Sequence, residues 1–394
     1  MTSSFPENGS ATRGDCVRRQ AEALSDLGVE VRVVAPAYQP GSPAGERMGR
    51  LLVKRFPFRR PQRPFVDYGR APILPSLSLL RGMGRAVAEA CVEESVLPDI
   101  VHAHWLLPSG FASSRVLMRR ELSAVPLVVT CHGSDLHSTL AHSPAGAWAA
   151  RRALARTARV VIVSESLRPF LAHLSENAAA AADLIHMGTD LPANLPSREE
   201  LRAGFGLSAD TVAVLFAGRL AAVKGFDLLM SAWPRVAAAV GDAELVVAGD
   251  GPLRPLVDAR VAAHDNVRFL GSVERRELMA WMRAADLVVV PSRQEGSPLV
   301  AEEALATGTP VLASRAGFAR ELLAQGGGWE RSLATVEELA ESMVWLLSDG
   351  AAREDARRAA VLPEAYRTTT AAANLAKLYD ELLAPARSPA TADS

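Results

Sequence analysis

Short apolar runs rich in Val, Leu and Ile recur along the chain, each separated from the next by an amphipathic stretch, and this alternation restricts the fold more than any other feature. In the second half "VAVLFAG", "AELVVAGD", "VRFLG", "LVVVPS" and "PVLAS" alternate with helical stretches such as "FDLLMSAWPRVAAAV" and "ELMAWMRAA". In the first half the strand-like runs are "VEVRVVAP", "DIVHAHW", "PLVVTCHG", "ARVVIVSE" and "ADLIHMG". Runs that stay apolar at consecutive positions suit strands buried on both faces, the condition of a parallel sheet covered by helices. The expected fold class is α/β, with two doubly wound, Rossmann-like domains.

A chain of 394 residues exceeds one ordinary hydrophobic core, which also argues for two domains. Between the two series lies "MGTDLPANLPSREELRAGFGLSAD", rich in Pro, Gly, Ser and charge, which reads as a hinge. The expected division is an N-terminal domain over 1–189, a C-terminal domain over 190–372, a final helix over 373–386 crossing back to the first domain, and a disordered tail over 387–394. "TSSFP" resembles the end of a strand whose beginning is missing. Either the first sheet starts one strand short or the true start lies upstream; the second is preferred, because a lost central strand leaves helix faces uncovered.

Charge and cysteine content exclude several classes. The formal net charge of -1 gives no reason to expect nucleic acid as a partner. Residues 1–190 carry 22 Lys+Arg and 17 Asp+Glu, so +5, and the remainder carries -6. Cys16, Cys91 and Cys131 are odd in number and far apart, which fits a reducing cytoplasm better than a disulfide framework. The apolar runs are far shorter than a membrane-spanning helix requires, and "MTSSFPENGSATRG" lacks the features of a signal peptide.

Three constellations carry chemistry. In "FAGRLAAVKGFD" a strand ends at Gly218, and Arg219 and Lys224 sit in the loop before a helix. A cation pair at the C-terminal edge of a parallel sheet suits a diphosphate: Arg offers a flat fork of donors and Lys a mobile point charge. In "VAGDGPLR", Gly249 and Gly251 allow a tight turn before a helix expected to begin near Pro252, a feature that supports the fold more than the chemistry. In "PSRQEGSPLVAEEALATGTPVLAS", Ser297 reads as an N-cap and Pro298 as the first helical residue, which makes an anion site from free backbone N–H groups. Glu295 precedes that site, and Glu303 lies about 7.5 Å along the helix at 1.5 Å per residue. Two acceptors flanking an anion site suit hydroxyls on either side of a bound phosphate group, with Glu302 as a bystander.

Together "GRLAAVKG", "GDGP", "EGSPLVAEEA" and "GTPVLAS" resemble the donor domain of the retaining nucleotide-sugar glycosyltransferases of family 4, with the GT-B fold, and Glu295 and Glu303 match that family's E-x(7)-E. "FPENGSATRGDCVRRQAEALSDLGVEVRVVAP", "VHAHWLLPSG" and "CHGSDL" resemble its acceptor domain, so the likeness covers nearly the whole chain. The resemblance implies that Arg219 and Lys224 hold the donor diphosphate after Gly218, and that Glu295 holds sugar hydroxyls. It places the backbone of Gly296, Ser297, Pro298 and Leu299 beside sugar and phosphates, and Glu303 on the ribose. His132 would lie at the donor sugar and Gly14 would approach the diphosphate. The family's Gly-Gly-x-Pro-Glu stands here as "AGFARE", ending in Glu321.

The implied activity moves a hexosyl group from a UDP- or GDP-linked sugar to a hydroxyl acceptor (a saccharide, a lipid-linked saccharide or a small molecule) with retention and without a metal or other cofactor, since no D-x-D motif is present. Without a convincing nucleophile, departure and attack on one face is preferred to a covalent intermediate. Two other classes stay open: a catalytically silent partner subunit that only binds nucleotide sugar, and a metal-dependent hydrolase using His102, His104, His132, Asp135 and His137. The basic stretch 47–70, with Phe56, Phe58, Phe65 and Tyr68, could contact an anionic membrane, or form a strand and solvated loop.

Overall fold

The computed structural model describes residues 1–394 except 8–13, 62–72, 93–96, 138–142, 264–265, 316–318, 325 and 385–394. The expected tail, Phe65 and Tyr68 lie outside the described residues. The chain divides into two compact units, one of Met1–Glu7, Val17–Ile185 and Ala371–Ser394, the other of Asn8–Cys16 and His186–Thr370.

Among the described residues the second unit has six strands: β8 (Val212–Ala217), β9 (Ala243–Ala248), β10 (Val267–Gly271), β11 (Leu287–Val290), β12 (Val311–Ser314) and β13 (Gly328–Arg331). Their order is β10-β9-β8-β11-β12-β13, parallel throughout. The chain starts at β8, steps outward through β9 to β10, then returns to lay β11 on the other side of β8. Successive residues of a strand face opposite sides, and both sides are buried here. Leu215, Ala217, Val288 and Val290 enter one core cluster, whereas Val214, Phe216, Leu287 and Val289 enter another with Phe226 and Trp233. Each of the Val, Leu and Phe side chains among these, fully buried, stabilises the fold by about 1.5–3 kcal/mol. β13, of sequence "GWER", has no apolar run to announce it; it is the last strand of the sheet, where one side needs no buried partner.

The first unit holds β1 (Arg32–Pro36), β2 (Gly45–Met48), β3 (Leu51–Phe56), β4 (Val101–His104), β5 (Leu127–Cys131), β6 (Arg159–Ile162) and β7 (Asp183–Leu184). β1 pairs with β3 in parallel and β3 with β2 antiparallel, while β4, β5, β6 and β7 form a parallel run. The backbone of Met1 and Thr2 lies between the two sets: Thr2 N–H donates to Val34 at 3.0 Å, and His104 N–H donates to Met1 at 2.9 Å. The helix Thr368–Leu383 sends Ala371, Ala372, Leu375 and Leu378 into the cluster of Leu24, Val128, Val161 and Ile185. Within the basic stretch, Phe56 is 4% exposed and packs with Val34, Leu79 and Met83, so it has no free ring to offer a membrane. No helix among the described residues is long and apolar enough to cross a membrane.

Candidate functional site

In a doubly wound sheet, the loops leaving two adjacent strands diverge where the strand order reverses, and the crevice there takes ligands. In the second unit that point lies between the C-terminal ends of β8 and β11. The β8 loop carries Gly218, the half-buried Arg219 and the short turn Ala222–Lys224, then Gly225 with φ +67. A Cβ on Gly225 would lie 1.9 Å from the Pro291 carbonyl oxygen, so only glycine lets this loop rest against the end of β11. Further contacts stitch the loops: Arg293 N–H donates to Val223 at 2.9 Å, and its guanidinium pairs with Asp227 at 2.6 and 2.8 Å.

That approach delivers Lys224 to Glu295. The ammonium sits 2.7 Å from both carboxylate oxygens, and the Ser292 hydroxyl donates to Oε1 at 2.7 Å. The structure therefore brings together two of the residues singled out in sequence, from elements 71 positions apart. Behind them, Gly249 and Gly251 are close-approach glycines. A Cβ would lie 1.9 Å from the Gly218 oxygen in one case and 2.5 Å from the Leu220 oxygen in the other. Leu220 N–H donates to Asp250, and Leu253 N–H to Leu220, which holds residues 251–253 in a turn. The helix consequently begins at Arg254 rather than near Pro252.

The segment after Glu295 departs from expectation. The helix runs Leu299–Ala306 and Pro298, with φ -79 and ψ 75, is its cap without a side-chain bond; Ser297 is not the N-cap. The Ser297 hydroxyl instead donates to Glu302 Oε1 at 2.7 Å. Glu302 is 0% exposed, and a buried carboxyl group demands donors, one of which the Ser297 hydroxyl supplies. Glu302 is thus no bystander: it fixes the Gly296–Ser297–Pro298 turn from beneath. Glu303 points elsewhere, accepting from Arg275 Nε at 2.8 Å. Arg275 also donates to the Thr189 hydroxyl and the Asp190 carbonyl, a partner that the sequence reading missed because nothing in "GSVERRELMA" marks one Arg from the next.

His132 belongs to the first unit, just after β5. Its Nε2 lies 3.0 Å from His104 Nδ1, and its ring stacks on Trp105 at 4.2 Å. Trp105 has φ +70, an unusual conformation for a residue with a side chain. His102 stacks on His104 and spends its two ring nitrogens on the Tyr379 hydroxyl at 2.5 Å and the Thr130 hydroxyl at 2.7 Å. Burial, foremost, holds all three imidazoles below the usual 6.5, as neutral rings. Asp135 accepts N–H bonds from Leu106, His132 and Gly133, and burial raises it to about 6 against the pull of those donors. Histidines spent on one another and on hydroxyls, with Asp135 spent on backbone, do not converge on a point. Among the described residues no group of three His, Cys, Asp or Glu side chains is arranged to hold a metal ion. Gly14, with φ +73, directly precedes the helix Asp15–Asp26. Residues 316–318 of "AGFARE" lie outside the described residues; Glu321 lies in the helix Ala319–Leu323.

Comparison with known proteins identifies the family. The family profile described as "Glycosyl transferases group 1" matches residues 211–349, and "Glycosyl transferase 4-like domain" matches residues 14–188. D-inositol 3-phosphate glycosyltransferase 1 of Catenulispora acidiphila is 31% identical over 342 residues, covering 80% of this chain and 78% of that protein. The alpha-D-kanosaminyltransferase of Streptomyces kanamyceticus is 29% identical over 399 residues, covering 93% and 98%. Among solved structures, Anabaena Alr3699/HepE in complex with UDP superposes with a TM-score of 0.69 at 20% identity, covering 96% of this chain and 98% of that one. Solved structures of this kind share the two-domain GT-B fold. The chain belongs to the group 1 glycosyltransferase family.

Proposed function

We propose that this glycosyltransferase moves a hexosyl group from a UDP- or GDP-linked sugar to a hydroxyl acceptor with retention of anomeric configuration, and that side-chain cations take the place of a divalent metal at the diphosphate. The observation that carries the reading is the Lys224–Glu295 pair, set at the strand-order reversal by the contact of Gly225 with Pro291. A cation and an acceptor side by side fit the junction of a sugar with its diphosphate. Arg219 and Lys224 would meet the charge that builds on the leaving diphosphate, Glu295 would accept from sugar hydroxyls, and Glu303 from the ribose. The turn Gly296–Leu299 would supply backbone donors, and Gly14 the approach to the diphosphate. His132 is proposed as the catalytic imidazole, neutral and so able both to donate and to accept. The donor domain is proposed as 190–372, with a hinge near 190.

Calorimetric titration with UDP, GDP and their sugars, with and without a chelator, tests the donor half of the proposal. Lys224→Ala should weaken diphosphate binding by about tenfold or more, and chelator should leave binding unchanged. Loss of binding on chelation would sink the metal-free reading. The anomeric configuration of the first-formed product, read by NMR, decides retention. A product of inverted configuration overturns it.

A further inference from the structure

Three arginines on one helix hold residues 189–196 of the second unit, and one of them does something the others do not. Arg276 donates to the carbonyls of Ala193 and Asn194, both at 2.8 Å, and Arg283 to those of Leu195 and Pro196 at 3.0 and 3.2 Å. Arg275 grips the same segment through Nη2, at 2.6 Å from the Thr189 hydroxyl and 2.7 Å from the Asp190 carbonyl. Its Nε, however, faces the other way and donates to Glu303.

The anchor at the far end is firm. Thr189 is 0% exposed, and its N–H donates to the Tyr366 carbonyl at 2.9 Å. His186 stacks on Tyr366 with ring centroids 3.8 Å apart. Gly188, with φ +78, presses so closely on Thr368 that a Cβ would lie 2.6 Å from its Cα. Arg275 therefore ties the Glu303 carboxylate to backbone that is buried, hydrogen-bonded to Tyr366 and packed against Thr368.

We propose that Arg275 is a positioning residue for donor binding: by joining Glu303 to the anchored Thr189–Asp190 backbone, it sets the orientation in which that carboxylate meets the ribose hydroxyls. This rests on the reading of Glu303 as the ribose acceptor. The terminal torsion of a glutamate is broad when nothing fixes it, and an acceptor that must be ordered on binding loses affinity in proportion. A planar guanidinium bonding at both ends removes that freedom beforehand. A lysine, with one point charge, could not hold both partners in a fixed relation.

The test compares three ligands by calorimetry: UDP or GDP (whichever binds), the corresponding 2′,3′-dideoxyribonucleotide, and inorganic diphosphate. Arg275→Gln should weaken the ribonucleotide by about tenfold or more, weaken the dideoxy analogue far less, and leave inorganic diphosphate unchanged. Arg276→Gln removes the same type of backbone clamp without touching Glu303, and should leave all three affinities as they are. Thr189→Val, which keeps the guanidinium and its bond to the Asp190 carbonyl but removes the hydroxyl anchor, should show the same ribose-selective pattern as Arg275→Gln at smaller amplitude, and it carries the test if Arg275→Gln fails to fold. Equal weakening of all three ligands by Arg275→Gln would mean general loosening and overturn the proposal, as would an unchanged ribonucleotide affinity. Glu303→Gln separates the two levels. If it leaves the preference for the ribonucleotide over the dideoxy analogue intact, the ribose reading of Glu303 is wrong; if it abolishes that preference while Arg275→Gln does not, only the role of Arg275 falls.

Discussion

Gly225 and Gly206 share almost the same backbone conformation, with φ of +67 and +72, yet they stand in different surroundings. A Cβ on Gly206 would meet nothing within 4 Å, whereas one on Gly225 would lie 1.9 Å from the Pro291 oxygen and 2.7 Å from its carbon. Gly206→Ala should therefore cost only the left-handed conformation, about 1–2 kcal/mol. Gly225→Ala adds a collision with backbone, which cannot rotate away as a side-chain tip would. To restore an ordinary contact the two loops must part by roughly 1 Å. That strains the Arg293 bonds to Val223 and Asp227 and the Lys224–Glu295 pair. The sum places Gly225→Ala at about 3–5 kcal/mol, among the severe backbone substitutions. At about 2–4 °C per kcal/mol for a unit of this size, thermal unfolding followed by circular dichroism should separate the two variants clearly. The folded fraction of Gly225→Ala should also bind the donor more weakly, since Lys224 no longer rests against Glu295. Equal shifts in Tm for the two variants would refute the close-approach argument, and with it the account of how these residues are brought together.

Further outcomes follow from the same geometry. Gly249→Ala meets the Gly218 oxygen at 1.9 Å and should likewise cost several kcal/mol, of the order of 3 or more, by denaturant unfolding. Glu295→Gln should lower kcat strongly with little change in stability, because its amide can still accept from Ser292 but cannot pair with Lys224. Glu302→Ala should lower stability by about 1–3 kcal/mol through the Ser297 hydroxyl it leaves without its acceptor, while Glu302→Gln retains that bond and much of the stability. For pH, the folded state holds His102, His104 and His132 below the 6.5 they regain on unfolding. The unfolded chain then binds more protons below pH 6.5, so the stability these neutral rings contribute is present above that pH and lost as pH falls. The slope is about 1.4 kcal/mol per pH unit for each imidazole. Asp135, raised from 3.8 to about 6, acts in the opposite sense: its contribution is present at acid pH and lost as pH rises through about 6. A single acid opposes three imidazoles, so the denaturation midpoint should drop between pH 6.5 and 4, and His132→Asn should flatten that drop. An equally steep drop in the variant would remove His132 from the account.

Legibility in the sequence divides along physical lines. The central strands β5, β8, β9, β11 and β12 announce themselves because both faces are buried and nearly every position is apolar, as in "LVVTC" or "VAVLFA". The edge elements do not: β2 reads "GERM" with alternating exposure, and β13 reads "GWER", patterns that a solvated loop also produces. The same division runs through the site. Lys224, Glu295 and Glu303 stand out by residue type and spacing, because a carboxylate or ammonium beside a glycine turn has few structural uses. Glu302 has the same chemistry one position earlier but takes a different part from the one its spacing suggests, since a helix turns about 100° per residue. One neighbour faces Arg275 and the other goes inward to Ser297, and which is which depends on where the helix starts. A reading that puts the cap at Ser297 makes that residue an acceptor for a backbone amide. The structure starts the helix at Leu299 and makes Ser297 a donor to a carboxyl group that solvent does not reach. The Gly296–Ser297–Pro298 turn is thus shaped by a buried side chain five residues downstream of Ser297. That is tertiary information: it depends on what closes over Glu302, which no local pattern in "EGSPLVAEEA" states.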